Sequence, residues 1–165
     1  MHSIFLVYLR KRMSKKEITI DHALRATWQA VIKMYNEQAA QLDSTMATGF
    51  ALLSIDPEEG TPSTALGPRM GMEATSLSRT LKSMEERGLV ERRPNPADGR
   101  GVLIFLTEFG RENRNFSKDR VLKFNDAIRG QISNEKIDHF FEVIHVINDL
   151  IQNKKIYNQK ETTTK

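Results

Sequence analysis

Two short helical patterns separated by one glycine, and followed by two short extended segments, constrain this chain more than any other feature. Residues 61–89 read as two helices. Thr61-Pro62-Ser63-Thr64 supplies a cap with proline in the first turn, Gly71 interrupts the pattern, and Glu73-Ala74-Thr75-Ser76 restarts it. In the second helix Leu77, Leu81 and Met84 share one face, while Thr75, Arg79, Lys82 and Glu86 lie on the other. One face packs, and the other is free to meet a partner. Gly88 ends this helix, and residues 90–93 and 102–106 read as strands joined by a polar, cationic tip, residues 94–101. The sum is a helix-turn-helix followed by a hairpin.

Helical patterns flank this region. Ile20, Leu24, Trp28, Val31, Tyr35, Ala39 and Leu42 recur at steps of three and four with no glycine or proline among them, and Asp21 is placed as a cap. A shorter apolar segment, residues 46–55, ends at Asp56-Pro57-Glu58-Glu59-Gly60. After Thr107, which can cap, one helix runs through Phe109, Phe116, Val121, Phe124, Ile128 and Ile132, and another starts at Ser133 and runs to Ile151. That last helix also carries Val143, Val146 and Leu150 beside its main stripe, more apolar surface than a helix with one wet face should show. A second copy of the chain is the natural cover. The expected fold class is therefore mainly α with a small β-hairpin wing, in which the winged helix-turn-helix (residues 56–107) is flanked by dimerisation helices (18–55 and 108–152). Residues 1–17 are expected to be a non-structural extension, with Met13 as an alternative start, and 153–165 a polar tail.

With 165 residues, 39% of them hydrophobic, the chain can bury the core of one ordinary domain, so 18–152 is expected to be a single unit. It contains no cysteine, which excludes a disulfide framework, Cys-ligated zinc and thiol redox sensing. His2, His22, His139 and His145 show no metal-ligand spacing, so neither a metal nor a cofactor is expected. No Ser/His/Asp constellation or phosphate-cradling glycine loop supports an enzyme. No stretch approaches the ~20 apolar residues needed to cross a bilayer, and a cytoplasmic protein without membrane contact is expected. The formal charge of +4 permits nucleic-acid binding without arguing for it, since residues 60–107 hold seven Lys/Arg against five Asp/Glu. The placement of the cations has to decide.

Residues 71–92, with Glu86-Arg87-Gly88-Leu89-Val90-Glu91-Arg92 at their end, resemble the recognition-helix region of the MarR family of transcription regulators. Residues 98–110, with Asp98-x-Arg100 at the tip and Leu106-Thr107-x-x-Gly110 at the exit, resemble that family's wing. Including the flanking helices, the resemblance covers about residues 18–152. It implies a homodimeric regulator of double-stranded DNA, a repressor on a pseudo-palindromic operator, whose DNA affinity a small lipophilic or anionic effector lowers. A constitutive DNA-binding protein without an effector is the alternative.

The residues agree with such a role. A helix fits the major groove, where Thr75, Ser76, Ser78 and Arg79 in its first turns would face base edges and phosphates. Arg79 can bond a guanine edge bidentately, and Lys82, farther along, suits a phosphate. Arg92 and Arg93 are either phosphate contacts or charges that protect a strand edge. The resemblance further implies that Arg100 enters the minor groove and Asp98 braces the loop. Gly99 stands where many relatives carry a second arginine. Trp28, Tyr35 and Phe50 are expected to pack in the core; the resemblance implies an effector crevice on the elements that carry them.

Overall fold

The computed structural model describes residues 19–157, with the side chain of Arg100 left undescribed. The expected extension, residues 1–17, and the end of the polar tail lie outside the described residues. Within them the order is α1 (Ile20–Ala39), a 3₁₀ turn (Ala40–Leu42), α2 (Met46–Ser54), β1 (Thr61–Pro62), α3 (Ser63–Met70), α4 (Ala74–Glu86), β2 (Val90–Asn95), β3 (Asp98–Leu106), α5 (Glu108–Arg129) and α6 (Asn134–Gln152). The fold is the mainly α, winged helix-turn-helix that the sequence predicts. No described helix is long and apolar enough to cross a membrane.

The chain forms two compact units, which meet inside α5 between Arg120 and Val121. In the first, Leu52 of α2 and Ile55 just beyond its end, Leu66 and Met70 of α3, and Leu77, Leu81 and Met84 of α4 close over Leu89, Val90, Ile104 and Leu106 to form one continuous core. Leu77, Leu81 and Met84 are the apolar face expected for the second short helix, and burying them sets which side of α4 remains wet. In the second unit Ile137 is buried, but Phe140, Phe141, Val143 and Val146 are each more than half exposed.

Local details differ from the sequence expectation. Asp21 is not the cap of α1; Thr19 holds that position, and Asp21 sits in the first turn, where the Thr19 hydroxyl holds its carboxyl below the usual range. Thr61 and Pro62 lie before the helix and not in its first turn, with Pro62 at the N-cap of α3. They form β1, pairing antiparallel with Ile104 and Leu103, so the sheet is three-stranded in the order β1-β3-β2. A two-residue strand carrying a proline has no periodicity to read, and its partner lies some 40 residues away. The hairpin is longer and its tip tighter than expected, with Asn95 opposite Asp98 across Pro96-Ala97. Pro94 is tolerated because β2 is an edge strand, where its missing N–H breaks no ladder. Ile132 falls beyond the end of α5.

Trp28 and Phe50 correct another expectation, because they are 53% and 44% exposed and neither is core in the protomer. Helical spacing identifies a shared face but not what covers it, and residues 19–30 of α1 are all exposed. Tyr35 is half-buried, and desolvation raises its phenol pKa.

Candidate nucleic-acid interface

The interface is built on α4, and both ends of α4 are defined by backbone geometry. Gly71 and Gly88 on either side adopt left-handed φ values of 60° and 68°, which a glycine reaches at no steric cost. At the C-terminal end the amides of Arg87, Gly88 and Leu89 return to the carbonyls of Ser83, Glu85 and Met84 at 3.1, 2.9 and 2.8 Å. Fully buried Leu89 anchors that turn in the core. A rigid helix thus presents its outer face at a fixed angle to the core.

That face carries Thr75, Ser76, Ser78, Arg79 and Lys82, all exposed. Lys82 makes a weak i,i+4 ion pair with Glu86 at 3.8 Å, which solvent screening leaves easily exchanged for a phosphate. The early turns therefore combine hydroxyl donors and acceptors with a cation, the chemistry that reads base edges and phosphates.

The hairpin cations are less free than their positions in the sequence suggest. Arg92 donates from Nε to Oε2 of Glu85 at 2.9 Å, tying β2 to the last turn of α4. Arg93 pairs with Glu91 on its own strand and lies over the Phe105 ring, 4.1 Å from the centroid. Both are partly occupied in holding the wing, an internal role beside the strand-edge and phosphate roles expected of them. Asp98 opens β3, and its Oδ2 would lie 3.0 Å from a side-chain carbon at Gly101, so the tip closes tightly around this carboxylate. Arg100 lies on β3, but the minor-groove role expected of its side chain falls outside what is described.

The wing is also tied at its base. Thr107 Oγ1 donates to the Gly88 carbonyl at 2.6 Å and accepts from the Gly110 amide at 2.9 Å, which caps α5 as the sequence predicts. One hydroxyl therefore joins the end of α4, the end of β3 and the start of α5.

An open groove of about 720 Å³ runs between α3, α4 and β2, lined by Gly67, Pro68, Met72, Ser78 and Arg92 among others. Trp28, Tyr35 and Phe50 do not line it. Sequence reasoning also missed Glu85, whose role depends on a partner seven residues away on another element, and Arg87, whose Nη2 donates to the Leu42 carbonyl at 3.1 Å. Neither contact follows from local helical spacing.

Removing the Glu85 carboxylate takes one negative charge away from the end of α4 and frees Arg92. Glu85→Gln is accordingly expected to tighten binding to duplex DNA of any sequence a few-fold at low salt, as read by fluorescence anisotropy. Unchanged affinity would place this pair away from DNA.

The MarR family model matches residues 45–102, which span α2, both short helices and most of the wing. Over that segment the chain is similar to the MarR family. Among proteins similar to this chain, the HTH-type transcriptional regulator SarZ of Staphylococcus haemolyticus is 32% identical over 87 residues, 53% of this chain and 59% of that protein. The organic hydroperoxide resistance transcriptional regulator of Bacillus subtilis is 31% identical over 96 residues, 58% of this chain and 65% of that protein. The chain thus spans about three-fifths of the length of these relatives. The fold is also that of MepR in its DNA complex from S. aureus, with a TM-score of 0.74 and 18% identity over 81% of this chain and 98% of that one. PcaV of Streptomyces coelicolor, solved with its natural ligand, gives a TM-score of 0.69 and 21% identity over 83% and 96%. At these identities the structural likeness is one of fold.

Proposed function

We propose that this chain is a sequence-specific DNA-binding transcription regulator and not an enzyme. In this reading it acts in the cytoplasm as a homodimer on a pseudo-palindromic operator, as a repressor that a small lipophilic or anionic effector releases. The observation that carries the reading is α4: its apolar face is locked into the core, and its exposed face sets hydroxyls and Arg79 beside a cationic hairpin. With 13 residues α4 is about 20 Å long, and an α-helix fits the roughly 12 Å width of a major groove. Arg79 reads a base edge, Thr75, Ser76 and Ser78 contact bases or phosphates, and Lys82 holds a phosphate. Arg92, Arg93 and Arg100 support contacts from the wing, and Asp98 shapes its tip.

A single winged unit making a handful of phosphate contacts binds weakly at physiological salt, whereas two copies held at a fixed separation engage two half-sites. Ile20, Leu24 and Trp28 of α1 and, in the other unit, Phe140, Phe141, Val143 and Val146 of α6 leave apolar surface that a second copy would cover. The printed names of the relatives, all transcriptional regulators, and of the MepR–DNA complex support the DNA reading, and that of the PcaV complex supports a small-molecule effector. The effector would act without thiol chemistry, because the chain has no cysteine. Trp28, Tyr35 and Phe50 are the residues we assign to its crevice. An effector that prefers the off-DNA state must weaken DNA binding by the factor by which DNA weakens effector binding.

Selection of duplexes from a randomised pool by the purified chain tests the reading. A two-fold symmetric sequence with half-sites about one helical turn apart is expected to be enriched. A pool that emerges unenriched at low salt would remove the proposal.

A further inference from the structure

We propose that Arg87 is a positioning residue for DNA binding, a strut that fixes the recognition helix α4 to the end of α1 without touching DNA. The inference rests on the DNA-binding reading above.

Its first support is where the side chain starts and ends. Arg87 is the C-cap of α4, and the turn of hydrogen bonds from Arg87, Gly88 and Leu89 makes its backbone part of the helix end. From there the guanidinium reaches 45 residues back along the chain, and Nη2 donates to the Leu42 carbonyl at 3.1 Å in a partly buried contact. Leu42 is the last residue of the 3₁₀ turn that prolongs α1, and Asp43 after it is left-handed, with φ 51°. The final carbonyls of a helical segment have no partner within it and carry the negative end of its dipole. A guanidinium placed there satisfies one such carbonyl and neutralises part of that dipole.

The second support is the stiffness of the receiving corner. The Asp43 amide bonds to Ala40 O at 3.1 Å, the Ser44 amide to Ala39 O at 3.0 Å, and the Met46 amide to the Asn36 side chain at 2.9 Å. Thr45 caps α2 by accepting from the Thr48 amide at 3.2 Å. A bond to a flexible loop would transmit nothing. A charge-assisted bond to a corner whose own amides are satisfied passes a displacement of α1 to α4, and the reverse. Since α1 bears the exposed apolar residues Ile20, Leu24 and Trp28, anything that covers or moves that helix is felt at the reading face through Arg87.

The test compares the full wild-type chain with Arg87→Met and Arg87→Lys on the duplex that the wild type selects. For Arg87→Met, affinity is expected to fall about tenfold while the slope of log K against log salt stays that of the wild type, since no phosphate contact is lost. Arg87→Lys, which keeps the charge but not the planar fork, is expected to recover part of the loss. Hydrogen exchange at the Asp43, Ser44 and Met46 amides is expected to slow on DNA binding in the wild type and not in Arg87→Met. A slope reduced by about 1 would make Arg87 a phosphate contact and overturn the proposal, as would equal DNA-induced protection of the corner in both proteins. Should Arg87→Met lose the helical circular dichroism of the wild type, Arg87→Lys carries the same comparisons. A wild type that selects no duplex removes the DNA reading, whereas a binding wild type matched by Arg87→Met removes this inference alone.

Discussion

Gly110→Ala is expected to unfold the winged unit, or to lower its melting temperature by more than ~10 °C. In the first turn of an exposed helix the same substitution would stabilise, because alanine is favoured over glycine by about 1 kcal/mol. Here packing reverses the sign. A Cβ on Gly110 would lie 1.9 Å from the Leu89 carbonyl oxygen and 2.9 Å from its carbon, and these are backbone atoms of a fully buried residue that cannot turn aside. Relief requires α5 to move by more than an ångström. That movement would break the bonds from the Thr107 amide to Leu89 O at 3.2 Å and from its hydroxyl to Gly88 O at 2.6 Å. The end of α4, the end of β3 and the start of α5 would lose their common joint. The expected cost exceeds ~4 kcal/mol, in the exceptional range for a point substitution and a large share of the 5–15 kcal/mol that holds a domain together. Thermal and urea unfolding followed by circular dichroism check this, and a melting temperature at or above that of the wild type would show that the helix start can shift freely.

Arg79→Ala is expected to leave stability within about 0.5 kcal/mol of the wild type, because the side chain is exposed and packs against nothing in the core. Its effect should be on recognition. Loss of a bidentate contact to a guanine edge costs about 1–3 kcal/mol per half-site, roughly five- to 150-fold, and relaxes the preference at one base pair while the others keep theirs. Lys82→Ala, by contrast, removes a point charge and would weaken all sequences alike. Anisotropy titrations against the selected duplex and its single-base variants separate the two patterns. A uniform loss across every variant would move Arg79 from the bases to the phosphates.

The two substitutions mark different kinds of legibility. Arg79 could be placed from the sequence because local periodicity decides it: Leu77, Leu81 and Met84 claim one side of α4, and the geometry of the helix leaves Arg79 on the other. The same logic located the three long flanking helices, the break at Gly71, the stop at Gly88 and the cap at Thr107. Gly110 was legible as part of a motif, but its reason was not, because the Leu89 carbonyl that forbids a side chain lies 21 positions earlier in the chain.

What the sequence determined by itself is the helices, the hairpin and the wet face of α4, since these follow from interactions within three or four residues. Tertiary structure decided the rest. It turned Thr61-Pro62 into a strand by supplying Leu103 and Ile104 as partners, and it engaged Arg92 with Glu85 and Arg93 with Phe105. It left Trp28 and Phe50 exposed, although spacing alone would have buried them. It also sent the Arg87 side chain to a carbonyl at the end of another helix. Each depends on which surfaces meet when distant segments pack, and no local pattern carries that information.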